Sequence, residues 1–391
     1  MKTYPWGPGK KAFSFPKHQP TILPFRKMYQ EFSILVLFYQ HQNHHRNTAA
    51  RIEVTPSPKR REAVCRTAGA CCIFSYPSRI KRYASKRRSI VSLRAVRQML
   101  DTKPTMEGAG VKLQRAFGFG KTAEFDPFLL LDDFRSDNPA DYVAGFPWHP
   151  HRGIETITYV LAGEVAHGDS LGNKGRMTAG DVQWMTAGSG ILHQEMPKGD
   201  AQGRMHGFQL WANLPAALKM TDPRYQDIPS SAIPEVTEDD GTHARIICGE
   251  FWGQRGPVEG VAADPRYVDI SVPPGKRRRI QVEVERNAFA YVFAGSGTFR
   301  DASAPQAVLT ESAADPNAAP VYDASNHSLV LFDRGDEIVV QAGPEGIRFL
   351  LVSGKPLQEP VAWHGPIVMN TDEEIRQAIG ELHTGGFIKH R

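Results

Sequence analysis

The chain is 391 residues long, with 41% hydrophobic content and a formal charge of +5, enough for two ordinary domains that bury their own cores without disulfide or zinc staples. The charge is divided: residues 1–100 hold 20 Lys/Arg against 3 Asp/Glu, and residues 101–391 hold 27 against 39, so the two parts sit near +17 and −12. Three of the four cysteines (Cys65, Cys71, Cys72) lie in the basic front and only Cys248 in the rest, which excludes a disulfide framework and fits a reducing compartment.

The front, residues 1–88, mixes prolines, paired basic residues (Lys59-Arg60-Arg61, Lys86-Arg87-Arg88) and His44-His45 with no sustained period. It is expected to be a disordered extension or a targeting segment, because it lacks the apolar surface that offsets ordering entropy. Its longest apolar run, Phe32 to Tyr39, is eight residues, against about 20 for a membrane-crossing helix, and no secretory stretch lies near Met1. The front resembles a mitochondrial presequence, a nuclear localisation signal, or translated non-coding sequence upstream of a mis-chosen start; of these the last is preferred. Its three cysteines lack the paired spacing of a zinc module.

From Ser89 the texture changes. A helical signal spans Ser89–Leu100, and past residue 105 come short runs of Val, Ile, Thr and aromatics, such as Ile154 to Leu161, punctuated by Gly, Asp, Asn and Pro. Short strands at this spacing indicate an antiparallel sandwich or barrel. A second helical signal covers Pro215–Met220, and the clearest comes last, where Thr371 is expected to cap a helix whose first turn carries Asp372, Glu373 and Glu374. The body is therefore all-β with a short C-terminal helix.

An internal repeat divides the body. Tyr159-Val160-Leu161-Ala162-Gly163 is echoed by Tyr291-Val292-Phe293-Ala294-Gly295, and Gly180-Asp181…Ala187-Gly188 by Gly335-Asp336…Ala342-Gly343. Two barrels in tandem follow, one over residues 89–235 and one over residues 236–391. The second carries an Ala/Pro-rich insertion around Asp301–Asn317.

Chemistry concentrates in Trp148-His149-Pro150-His151-Arg152-Gly153 and in Ile191-Leu192-His193-Gln194-Glu195. Strand residues two apart share a face, so His149 with His151, and His193 with Glu195, point together. On neighbouring strands the two pairs would converge inside one barrel. Three imidazoles and a carboxylate suit iron, manganese, nickel, copper or zinc rather than magnesium or calcium. Glu155, at an even offset from His151, is read either as an interior residue supporting a ligand or as a charge at the barrel mouth. Phe146, Trp148 and Trp184 are read as lining an open cavity or as ordinary barrel core. In the second barrel, counting from Tyr291 and Gly335 puts Gln281, Glu283, Arg348 and Leu350 at the four ligand positions, where a cation and a leucine give no metal site.

The runs His149 to Thr156, Gly180 to Gly188 and Gly190 to Pro197, flanked by Asp126-Pro127-Phe128-Leu129 and Gly365 to Thr371, resemble the pirin family, two-barrel members of the cupin superfamily. Gln194, Ser189 and Gly386 depart from the family's common residues, and no ligand is lost. The resemblance implies two tandem cupin barrels of jelly-roll type, the second degenerate, and one non-haem Fe(II) per chain held by His149, His151, His193 and Glu195. It implies quercetin 2,4-dioxygenase activity, with a flavonol and dioxygen as partners and Glu195 as the base. The alternative it implies is a redox-sensitive transcriptional co-regulator that binds transcription factors. No direct nucleic-acid binding and no membrane are expected, since the body is acidic. A monomer is expected, in the cytoplasm or nucleus, or in mitochondria if the front is a genuine presequence.

Overall fold

A computed structural model describes residues 91–299 and 324–390. The basic front with Cys65, Cys71 and Cys72, and the insertion around Asp301–Asn317, lie outside the described residues.

The first strands are β1 (Val96–Asp101), β2 (Lys103–Glu107), β3 (Val111–Phe117), β4 (Phe128–Asp133), β5 (Phe146–His151) and β6 (Ile154–Ala162). They are followed by β7 (Glu164–Asp169), β8 (Lys174–Met177), β9 (Val182–Thr186), β10 (Ile191–Lys198), β11 (His206–Asn213) and β12 (Arg224–Ile228). One sheet runs β12-β9-β6-β11-β4-β3-β2 and closes over a second, β5-β10-β7-β8, to make the first barrel.

The second half supplies β13 (Glu235–Thr237), β14 (His243–Cys248), β15 (Glu250–Phe251), β16 (Gln254–Arg255), β17 (Arg266–Val272), β18 (Arg277–Gln281) and β19 (Asn287–Thr298). It continues with β20 (Ala324–Ser325), β21 (Ser328–Phe332), β22 (Glu337–Gly354), β23 (Ala362–His364) and β24 (Ile367–Met369). Its sheet order, β1-β21-β19-β22-β17-β14-β13, repeats that of the first sheet strand for strand, with β18 added against β22. The edge strand is the exception to chain order, because β1 precedes the first barrel yet pairs with β21 of the second. The helix expected over Ser89–Leu100 is absent from its described part, residues 91–100, whose second half is this strand. Val96 and Met99 pack on the second barrel's core and Leu100 on the core between the barrels, so pairing across Ser328–Phe332 overrides a weak local preference.

The repeat is real, but its register differs from the one counted on the sequence. Tyr159 lies opposite Phe208 of β11, and Tyr291 lies opposite Leu350 of β22. Arg348 and Leu350 therefore belong to the strand that matches β11, not β10. The ladder matching β5 and β10 is β18 with the front of β22, whose apolar side chains Ile280, Ile338 and Val340, with Val282 just after β18, join the second barrel's core. The Gly335-Asp336 echo misled because the loops between the strands differ in length.

The two large sheets face each other across a shared core holding Phe117, Phe128, Trp184, Phe208, Phe289 and Leu350. Each fully buried large side chain contributes about 1.5–3 kcal/mol. Two matching hydrogen bonds cross this core: Tyr159 donates to Asp269 at 2.8 Å and Tyr291 donates to Asp133 at 2.7 Å.

Of the helical signals, Pro215–Met220 gives one 3₁₀ turn, Ala216–Leu218. The last gives the helix Asp372–Thr384, closed at its start by a capping box in which Thr371 and Glu374 exchange hydrogen bonds. Among the described residues no helix is long and apolar enough to cross a membrane.

Candidate metal centre

β5 and β10 pair with His149 opposite His193, and the pleat turns His151 to the same side. One ligand nitrogen from each of His149, His151 and His193 lies within 4.8 Å of the others, the one such cluster found among the described residues. His151 and His193 are buried and His149 is half-buried.

Hydrogen bonding decides which nitrogens face inward. His149 Nδ1 is 2.8 Å from the Pro147 carbonyl and His151 Nδ1 is 3.2 Å from the Pro366 carbonyl. A carbonyl only accepts, so both Nδ1 atoms carry the proton. The two Nε2 lone pairs then face each other at 3.1 Å, an arrangement that calls for a cation between them. That separation is one that two nitrogens bound to a single ion at ~2.0–2.1 Å would show. His193, also buried, has no hydrogen-bond partner among the described residues on either ring nitrogen, and such a group costs about 1–3 kcal/mol when left unpaired. Burial pushes the proton affinity of all three imidazoles down, which keeps them neutral and able to donate to a metal. A nearby carboxylate, Glu195, pulls His149 the other way.

Glu195 is buried beside the triad without being part of the cluster. The β5–β10 register slips between His193 and Glu195, and bulges of this kind re-aim side chains next to functional sites. Its carboxylate accepts from Thr158 Oγ1 at 3.0 Å and from Gln209 Nε2 at 3.0 and 3.3 Å. It also lines a small cavity of about 20 Å³ with Asp132, Thr158, Phe146 and Gln209, room for one or two waters. Gln209 in turn accepts from Trp211 Nε1 at 3.2 Å, and Trp211 stands edge-on to His151 with ring centres 5.0 Å apart.

Thr158, Gln209 and Trp211 went unread in the sequence, although polar or amphipathic residues at alternate positions of β6 and β11 signal an interior that is not purely apolar. Glu155 corrects the interior reading. Gly153, at φ +77°, ends β5 and turns the chain into β6, so the even offset from His151 does not carry across. Glu155 shares its face with Ile157 and Tyr159, toward the core between the barrels, and accepts from Thr186 Oγ1 at 2.8 Å. Trp184 is likewise in that core, fully buried. Of the three aromatics, Phe146 reaches the small cavity and Trp148 stands 44% exposed next to His149.

Comparison with known proteins gives the same architecture a family. Residues 110–212 match the pirin family model and residues 267–388 match that of the pirin C-terminal cupin domain. A pirin-like protein of Caulobacter vibrioides is 42% identical over 296 residues, 75% of this chain and 99% of that protein. The chain belongs to the pirin family. Human pirin is 38% identical over 275 residues, covering 70% of this chain and 87% of its own. A Pseudomonas aeruginosa relative whose name proposes a quercetin 2,3-dioxygenase is 41% identical, over 72% of this chain and 94% of that protein. Among solved structures, a quercetin 2,3-dioxygenase from Acinetobacter baumannii aligns with a TM-score of 0.65 and 29% identity over 75% of this chain and 98% of that one. The pirin-family cupin fold is thereby shown, and the His149, His151, His193 cluster lies within the span of the first pirin match.

Proposed function

We propose that the first barrel binds one iron(II) through His149, His151 and His193 with Glu195 as a fourth ligand, and that the centre opens a flavonol with dioxygen. The observation that carries the metal is the pair of inward lone pairs 3.1 Å apart, with both partner nitrogens bonded to carbonyls. The relatives named for quercetin 2,3-dioxygenase support the substrate class.

When bound, the metal supplies Lewis-acid polarisation of chelating oxygens and one-electron chemistry with dioxygen. The protein supplies the rest. Glu195 takes the flavonol hydroxyl proton, and the Thr158 and Gln209 donors keep its carboxylate aimed while it does so. The 20 Å³ cavity is far below the ~300 Å³ of a pocket for a drug-sized ligand, so the flavonol approaches from outside, past His149, the one imidazole of the three that is only half-buried. Trp211, Trp363 and the exposed Phe119 form a line of ring contacts from His151 outward that suits a flat aromatic substrate.

Iron-loaded protein incubated aerobically with a flavonol should consume dioxygen and bleach the flavonol absorbance. No reaction at full metal occupancy would refute the dioxygenase reading. A second reading, redox-dependent binding of transcription factors, draws on Trp148 and the half-buried His149 standing at the surface, where a change of metal state is displayed. Identical partner sets captured by ferrous and ferric protein would count against it.

A further inference from the structure

The segment that follows the second barrel crosses onto the first. β23 and β24 form a hairpin whose turn places the Pro366 carbonyl against His151 Nδ1. Immediately beyond, Val368 N donates to the Arg152 carbonyl at 3.1 Å. Trp363 of the same hairpin packs on Trp211, ring centres 6.0 Å apart, and Trp211 packs on His151. The hairpin thus reaches the same imidazole by two routes.

Buried cations hold it there. Lys219 Nζ donates to the Gly153 carbonyl, the Val368 carbonyl and Asn213 Oδ1 at 2.7–2.9 Å. Arg152, 2% exposed, donates to the Ser189 and Phe387 carbonyls and pairs with Glu381 at 2.8 Å. Its guanidinium lies 4.1 Å from the centre of the Phe387 ring. The sequence around the ligands is cut to admit this crossing. A Cβ on Gly153, just after β5, would stand 1.9 Å from the Val368 carbonyl oxygen, and one on Gly190, just before β10, would stand 3.0 Å from Phe387.

We infer that residues 362–387, though contributed from beyond the second barrel, form part of the metal centre of the first, with the Pro366 carbonyl as the positioning group that orients His151 and sets metal affinity. This rests on the metal reading above. A carbonyl bonded to Nδ1 fixes the tautomer and ring angle and raises the basicity of Nε2, and loss of such support typically weakens metal binding 10–100-fold. The carbonyl is main chain, so its placement depends on the latch at Arg152, Glu381 and Phe387.

The test uses the full chain with Phe387→Ala and Glu381→Gln, neither of which touches a ligand. Nickel(II) affinity, measured by competition with a chelator, should fall about tenfold or more in Phe387→Ala and in the same direction in Glu381→Gln. In zinc-loaded protein the His151 Nδ1–H resonance, protected in the wild type, should exchange faster in both. If Phe387→Ala does not fold, Glu381→Gln carries the test. Variants that lose thermal stability yet keep wild-type nickel affinity and the protected His151 proton would overturn the inference and leave the metal reading intact. Wild-type protein that takes up neither nickel nor zinc would overturn both.

Discussion

Glu155→Gln isolates the energetic cost of a carboxyl placed between the barrels. Burial raises the Glu155 acid from an ordinary 4.5 to about 7, and the Thr186 hydroxyl and Trp184 indole oppose that only in part. At ~1.4 kcal/mol per tenfold change in proton affinity, the rise corresponds to about 3 kcal/mol. The sign follows from where the proton sits. Between pH 4.5 and 7 the folded protein keeps it and the unfolded chain has released it, so the stability it confers is complete below 4.5 and lost as pH rises through about 7. Glutamine has the same shape and no charge at any pH, so this one contribution is absent from its pH dependence while those of the other buried groups, Asp132 and Lys219 among them, remain. Urea unfolding of metal-free wild type and Glu155→Gln at pH 5 and pH 8 measures this. The variant should be about 3 kcal/mol more stable than the wild type at pH 8 and close to it at pH 5. Parallel pH dependences, or a wild type that is the more stable at pH 8, would refute an uncompensated acid at this interface.

Metal analysis of His149→Ala and Glu195→Ala should show loss of the ion in both, and retention in either removes that residue from the ligand set. Adding nickel(II) to the metal-free protein at about a thousand times its Kd should stabilise it by ~4 kcal/mol, read as a rise in Tm that His193→Ala abolishes. Tyr159→Phe and Tyr291→Phe each remove a donor from a buried aspartate, Asp269 and Asp133; each should cost about 1.5–3 kcal/mol by urea titration, and no change in either would deny the cross-barrel bonds their role. Gly153→Ala combines a positive φ with a Cβ 1.9 Å from the Val368 oxygen, so its Tm should drop by several degrees, at ~2–4 °C per kcal/mol for a body of this size.

What the sequence disclosed and what it hid divide along a physical line. His149 with His151 sharing a face, and Thr371 capping the last helix, follow from the strand period and from helix-end chemistry, and both appear as read, with Glu374 completing a capping box that was not foreseen. Tyr159 and Tyr291 marked the two barrels because each occupies the same place in its sheet. Glu155 failed because a two-residue turn at Arg152-Gly153 resets the alternation that places a strand residue in or out. Trp184 could be read only as cavity lining or core, and it proves to be core: β9 alternates between barrel interior and shared core, and nothing local says which of those faces holds the metal. β1 and Pro366 had no local signal at all. One joins a strand more than 200 residues later and the other supports a histidine 215 residues earlier, and the Pro366 contact is made by main chain.

The division of labour between the barrels follows from how each fills its interior. In the second, Ile280, Val282, Ile338 and Val340 close the space with apolar volume, and packing alone stabilises it. In the first, the matching strands bring in three neutral imidazoles and a tethered carboxylate, one imidazole without a hydrogen-bond partner among the described residues. Such an interior is costly until a cation satisfies it. The barrel that holds the His149, His151 and His193 cluster is therefore the one that needs outside support. It receives that support from two sources: from the second barrel a shared core with reciprocal tyrosine–aspartate bonds, and from the segment beyond it the hairpin whose carbonyl accepts from His151. A first barrel expressed alone would keep its ligands in sequence but lose the Pro366 carbonyl that accepts from His151 Nδ1, a main-chain group from beyond the second barrel, and on the inference above it should bind nickel(II) more weakly than the full chain.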